Sequence, residues 1–358
     1  MFSSNEIVGL DIGSTSVKAV VLARKRKGYE LKSFAVRPIP DETIVEGVVE
    51  KPEVLSEVLK DLFASEKIKT KNIVSSLSGQ SLVIKKINLP KMSEMELEET
   101  IRSEAEQYIP FDIDEVNFDF QIVQEKNIDE GDGGEEVETV DVLLVAVRKE
   151  LIEERNTPLL DAGLKPVLVD LDVFAMENVN EFTNGIPDVD VLSLINIGAS
   201  FININILVNG VTEVTKDLPM GGNNITQGIA KHFELEFQQA ERLKKGIELF
   251  GHTEKEIAEV LHSEIKELSH EVNKMFHDFT TSSKMQIDKV MLSGGSSKIA
   301  GLDKILTDHF DISTVLLDPF SNLIINEKKI DPEYINEMAP MAVVGVGLAL
   351  RNPEDRKR

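Results

Sequence analysis

The sequence predicts an α/β protein built from two related halves, and three observations predict it. A glycine-containing hairpin pattern occurs twice, as GLDIGSTSVKAVVL at 9–22 and LINIGASFININIL at 194–207. Each copy is followed by the same order of elements, a third strand, a helix and a later apolar strand. A third glycine-containing turn, in VMLSGGSSKIAGL at 290–302, joins a strand to a helix start.

In register, Ile12 meets Ile197, Gly13 meets Gly198 and Thr15 meets Ser200. Val17, Ala19 and Val21 meet Ile202, Ile204 and Ile206, so both return strands alternate on one face. Third strands are expected at Tyr29–Arg37 and Val211–Lys216, helices at Pro52–Ser65 and Asn223–Phe233, and buried strands at Asn72–Leu77 and Lys289–Leu292. The first half is read as 1–186 and the second as 187–358.

Each half carries an addition. Between Leu82 and Lys165 lies a strand, then Ser93 and Glu96 at capping-box spacing, then a helical stripe of Leu97, Ile101, Ala105 and Tyr108 that Pro110 ends. Val116, Phe118, Phe120 and Ile122 alternate as a strand. An acidic, Gly-rich loop at 127–138, a strand at 140–148 and a helix at 149–161 complete a set able to bury its own core. The second half has a mostly polar helical insertion at about 235–285.

The 358 residues suit two or so domains, and 41% hydrophobic content is that of a globular chain. A formal net charge of −24 repels phosphate backbones, so nucleic acid is not an expected partner. With no cysteine there is neither a disulfide nor a thiolate metal site. No segment reaches the ~20 apolar residues of a membrane span, and neither a signal peptide nor an amphipathic terminal helix is evident. The basic run Arg24–Lys27 reads as a solvated hairpin tip. His262, His270 and His277 lack the spacing of a metal site, and Asp129–Glu136 lacks the ligand pattern of a calcium loop.

A hairpin tip of Gly, Ser and Thr offers backbone amides and hydroxyls to phosphate oxygens. Gly13, Ser14 and Thr15 form one such tip; Gly198, Ala199 and Ser200 form the other. Asp11, just before the first turn, is placed to hold magnesium through water. Two opposed tips would clamp a phosphate chain. Gly294 and Gly295 let a flat ligand approach the backbone, and Ser297 is placed to cap the following helix or touch the ligand.

These motifs, in this order, resemble those of the actin, sugar-kinase and heat-shock chaperone superfamily: two phosphate motifs at 9–18 and 194–203 and an adenosine motif at 290–302. Residues 167–180 and 340–350 resemble its two connecting helices, and Glu241-Arg242-Leu243-Lys244 resembles the segment that holds the adenosine ribose. The resemblance implies an actin-like ATPase fold of two ribonuclease-H-like halves, with ATP and magnesium as cofactors. It implies nucleotide contacts from Asp11, Gly13, Ser14, Thr15, Lys18, Asn196, Gly198, Ala199, Ser200, Gly221, Gly222, Glu241, Lys244, Gly294, Gly295 and Ser297. Asp172 lies where relatives often orient a water, although a plain helix-start aspartate fits equally.

The insertion replaces the usual actin subdomain, as in the cell-division protein FtsA. Its text, INLPKMSEMELEETIRSEAEQYIPFDIDEVNFDFQIV, is similar to the PilM family of type IV pilus machines. That resemblance implies a cytoplasmic ATP-binding ring protein, held at the inner membrane by the N-terminal peptide of PilN and linked to the assembly motors. An FtsA-like division scaffold and a sugar-kinase-like phosphotransferase are the alternatives. Asn196 stands where the superfamily usually has aspartate; a charge-assisted hydrogen bond is worth roughly 1.5–3 kcal/mol, so ATP hydrolysis is expected to be slow at most.

Overall fold

The computed structural model describes residues 6–79, 82–128, 137–185 and 189–352. The termini at 1–5 and 353–358 and the acidic loop at 129–136 lie outside the described residues.

In the first half, β1 (Ile7–Ile12), β2 (Ser16–Lys25) and β3 (Gly28–Pro38) form an antiparallel meander. A short ribbon, β4 (Ile44–Val45) with β5 (Val48–Val49), leads into α1 (Pro52–Ser65). The helix starts there because Pro52 supplies a fixed φ and needs no donor in the first turn. β6 (Asn72–Leu77) then pairs parallel to β1.

The insert follows: β7 (Leu82–Pro90), α2 (Glu94–Tyr108), β8 (Val116–Ile128) and β9 (Val137–Arg148), with sheet order β7-β9-β8. The capping box forms as expected, with Glu96 accepting from the Ser93 amide at 3.0 Å and Ser93 Oγ accepting from the Glu96 amide at 3.3 Å. Val140, Val142, Leu144 and Ala146 alternate onto one face and close a core with Leu97 and Ile101. Next, α3 (Lys149–Asp161) packs Leu159 into the first half's core, so the insert's own core ends with β9. β10 (Lys165–Leu171) and α4 (Asp172–Asn184) complete this half.

The second half repeats the plan. β11 (Val191–Ile197), β12 (Ile202–Val208) and β13 (Val211–Leu218) form its meander. Three helices follow, α5 (Gly222–Phe233), α6 (Phe237–Lys244) and α7 (Glu254–Ser283). Then come β14 (Lys289–Ser293), α8 (Leu302–Phe310), β15 (Ser313–Leu316), β16 (Ile324–Ile325) and α9 (Pro332–Leu350). The sheet orders are β10-β6-β1-β2-β3-β16 and β13-β12-β11-β14-β15. With β16 set aside they are one topology, parallel on one side of the first strand and antiparallel on the other.

The repeated residues occupy equivalent places. Val17, Ala19 and Val21 face one outer core, and Ile202, Ile204 and Ile206 face the other. The opposite faces of both sheets cover α4 and α9, which lie between them. From Met338 to Leu350 α9 is apolar all round, as a helix segment buried on every side must be. It begins at Pro332, capped by Asp331, eight residues before the expected start; Pro340 sits inside it, and the Pro340 carbonyl accepts from the Gly294 amide at 2.7 Å. The two central helices cross closely: a β-carbon on Gly347 would lie 2.0 Å from the Ala175 carbonyl oxygen. Among the described residues no helix is long and apolar enough to cross a membrane.

Candidate functional site

The β1–β2 hairpin sets Asp11 directly opposite Lys18, and their side chains form an ion pair of 3.2 Å. Gly13, Ser14 and Thr15 make the tip, closed by the Gly13 amide donating to Ser16 O at 3.1 Å. At the second tip, the Gly198 amide donates to Phe201 O at 2.9 Å. Among the described residues the amides of Ser14, Thr15, Ala199 and Ser200 donate to no protein group, so both tips have spare donors of the kind a phosphate takes.

Arg155 lies beneath the first tip, an element the sequence reading misses. It is buried on α3, donates to Ile12 O at 2.8 Å, and feels the charges of Asp172 and Asp11. Among the neighbouring glutamates of its helix, a single arginine carries no pattern that marks it as inward-facing.

The second tip, the start of α5, α6 and the turn after β14 converge. The Gly222 and Asn223 amides donate to Gly198 O and Ala199 O at 2.9 and 2.8 Å. A β-carbon on Gly221 would lie 2.6 Å from Gly198 O, and one on Gly222 would meet Ser296 Oγ. Lys244 donates to Gly222 O at 3.0 Å and to Thr226 Oγ1 at 2.7 Å, and pairs with Glu241 at 2.6 Å. Burial pulls Lys244 down from its ordinary range; for Glu241 burial is outweighed by Lys244, and the carboxyl lies below its ordinary range.

Gly294 has φ +94°, and a β-carbon there would lie 2.4 Å from Ile197 O, so this position requires glycine. Gly295 opens a short 3-10 turn with room beside Met341. Ser297 is buried and its hydroxyl donates to Ser293 O at 2.5 Å, tying the turn to its strand.

Three carboxylates meet where the halves join. Asp172 opens α4 and accepts from Ser76 Oγ at 2.5 Å. Burial, then the neighbouring Asp11 charge, pushes it up to about 7, with Asp217 adding to the rise. Asp217, on β13, accepts from Asn203 Nδ2 at 2.8 Å and from the Gly79 amide at 2.5 Å; burial raises it against those bonds. Asn203 Oδ1 in turn accepts from Asn196 Nδ2 at 2.9 Å. Phe201 spans the same gap, with its ring 3.3 Å from a β-carbon built on Gly47.

The second tip therefore comes together with the α5 start and the Gly294 turn, while the first tip's Asp11 is felt at Asp172, where the halves join. Beside this junction is a cavity of about 600 Å³ between the insert and both halves. Its lining includes β7 at Leu82–Lys85, α2 at Tyr108, β13 at Thr215–Asp217, and Gly79 and Asp172. β7 and β13 are sheet-edge strands that share no ladder; they meet through Lys86 and Glu213 at 2.5 Å. Two unpaired edges beside a cavity suit an extended chain that adds as a strand.

The model of the family described as type IV pilus assembly protein PilM matches residues 9–353. Among solved structures, the PilM-PilN type IV pilus biogenesis complex superposes with a TM-score of 0.83 at 29% identity, covering 96% of this chain and 98% of that one. Ethanolamine utilization protein EutJ from Carboxydothermus hydrogenoformans gives 0.59 at 14% identity, covering 96% and 89%. MreB5 of Spiroplasma citri bound to AMPPNP gives 0.53 at 14% identity, covering 98% and 97%. These last two share the fold alone, the actin-like ATPase fold that the superfamily resemblance implies. The family match covers both halves and the insert within the first, and the chain belongs to the type IV pilus assembly protein PilM family.

Proposed function

We propose that this chain is a nucleotide-loaded scaffold of the type IV pilus machine whose insert-side cavity receives the N-terminal peptide of PilN. The observation that carries the reading is the cavity between two unpaired sheet edges, in a fold 29% identical to the PilM of a PilM-PilN complex. The family match sets aside the division-scaffold and sugar-kinase alternatives.

ATP with magnesium is the ligand proposed for the cleft between the halves. The four spare tip amides suit phosphate oxygens, Asp11 suits a magnesium-bound water, and Lys18 supplies a cation beside both. Glu241 and Lys244 suit a ribose, and the Gly294–Gly295 turn a flat base. A bound nucleotide would stabilise the closed arrangement of the halves by mass action. Binding PilN would hold the chain at the inner membrane from the cytoplasm and bring it to the assembly motors, as copies of a ring.

A labelled synthetic PilN N-terminal peptide should bind at micromolar or tighter concentration, read by fluorescence anisotropy. Thr215→Trp, which fills the cavity from β13, should abolish it while the thermal melt keeps its cooperativity. Peptide binding that Thr215→Trp leaves untouched would place the partner elsewhere.

A further inference from the structure

Asp217 is held from two directions. One oxygen takes the Asn203 amide group, and the other takes the backbone amide of Gly79, in the segment leading from β6 to the insert. Asn196, Asn203 and Asp217 are direct cross-strand partners on β11, β12 and β13, so the register itself aligns the three side chains. Asn196 and Asn203 each donate toward Asp217, and the Asn196 oxygen is left to accept from Ser293 Oγ at 3.3 Å, beside the Gly294 turn.

We propose that Asp217 is a positioning residue that couples the insert-side cavity to the second phosphate-type hairpin through Asn203 and Asn196. This rests on the reading that the cavity takes a peptide and the cleft a nucleotide. A carboxamide can be turned either way round, and an ionised carboxylate can only accept, so Asp217 at the end of the row selects one direction for both asparagines. Asn203 is buried, with no water to satisfy it if that direction is lost. Gly79 and Asp217 also line the cavity. A peptide seated there acts on the Gly79–Asp217 bond directly, while a phosphate at the tip acts on the other end of the row. Each ligand then meets a row that the other has already ordered, which is a coupling free energy and must be equal in both directions.

The test is a thermodynamic cycle on the full chain, with a labelled PilN N-terminal peptide and AMPPNP with magnesium as probes. In the unmodified protein, saturating nucleotide should change the peptide Kd by at least about fivefold, and saturating peptide should change the nucleotide Kd by the same factor. Asn203→Leu removes both links of the row without touching either ligand; coupling should fall below about twofold while each separate affinity stays within about threefold. If Asn203→Leu melts below the assay temperature, Asn203→Ala, which also removes both links and adds no bulk, carries the same comparison. Glu213→Gln, which takes the charge out of the neighbouring Lys86 pair between insert and second half, should keep the full coupling. Coupling that survives Asn203→Leu or Asn203→Ala, that Glu213→Gln destroys equally, or that is absent from an unmodified protein binding both probes, overturns the relay. An unmodified protein that binds no peptide or no nucleotide overturns the parent reading and the relay with it.

Discussion

Replacing Asp172 with asparagine should stabilise the ligand-free protein, and more so as the pH rises. Asp172 lies between Ser76 and the Asp11 carboxylate, and burial followed by that charge lifts it from its ordinary 3.8 to about 7. A carboxyl raised in the folded state binds its proton more tightly folded than unfolded. Its favourable contribution is complete below pH 3.8 and is lost as the pH climbs toward 7. At 1.36 kcal/mol for each pH unit, the whole penalty is roughly 4 kcal/mol, of which up to about 3 kcal/mol develops between pH 5 and pH 8. Asp172 is only partly shielded from solvent, which screens part of the penalty, so about 1–2 kcal/mol is expected over that interval. Asparagine keeps the oxygen that accepts from Ser76 and carries no charge to bury. Urea unfolding of both proteins at pH 5 and pH 8 measures the gap in stability between them. A gap that stays constant, or narrows toward pH 8, would refute the claim that Asp172 is ionised against its surroundings at neutral pH.

Four other outcomes follow from the geometry. Magnesium-ATP at millimolar concentration should raise the melting temperature, and Asp11→Ala should remove the rise, as read by differential scanning fluorimetry. Gly294→Ala should cost about 2–4 kcal/mol, because its φ of +94° and the 2.4 Å approach to Ile197 O both exclude a β-carbon; an unchanged melt would contradict the turn. Gly347→Ala pushes a methyl group to 2.0 Å from Ala175 O where α4 and α9 cross, and should cost about 1–3 kcal/mol by thermal melting. Phosphate release from ATP should be very slow or undetectable in the isolated chain because Asn196 carries no charge; fast release that vanishes in Asp11→Ala would contradict this.

The insert shows where local sequence and packing part. Ser93 and Glu96 announce the start of α2, and the alternation at 140–146 announces β9, because both signals are carried by neighbouring residues. The helix 149–161 is equally legible as a helix, but its owner is not. Leu159 and Arg155 commit it to the first half through contacts with residues far away in the chain.

By itself the sequence determined the duplicated halves, since a repeat in register forces the same strand order twice, and it located the glycine turns at Gly13, Gly198 and Gly294. Only the tertiary structure decided which polar residues face inward. Asn203 and Asn205 alternate with isoleucines, a pattern that reads as one wet and one dry face, yet both are buried because α4 covers that face of the second sheet. Asp217 gives no local sign of meeting Gly79, and Arg155 none of lying beneath Asp11 and Asp172. Periodicity reports which side of an element a residue takes; whether that side meets water or another element is fixed by long-range packing, which no local window of sequence contains.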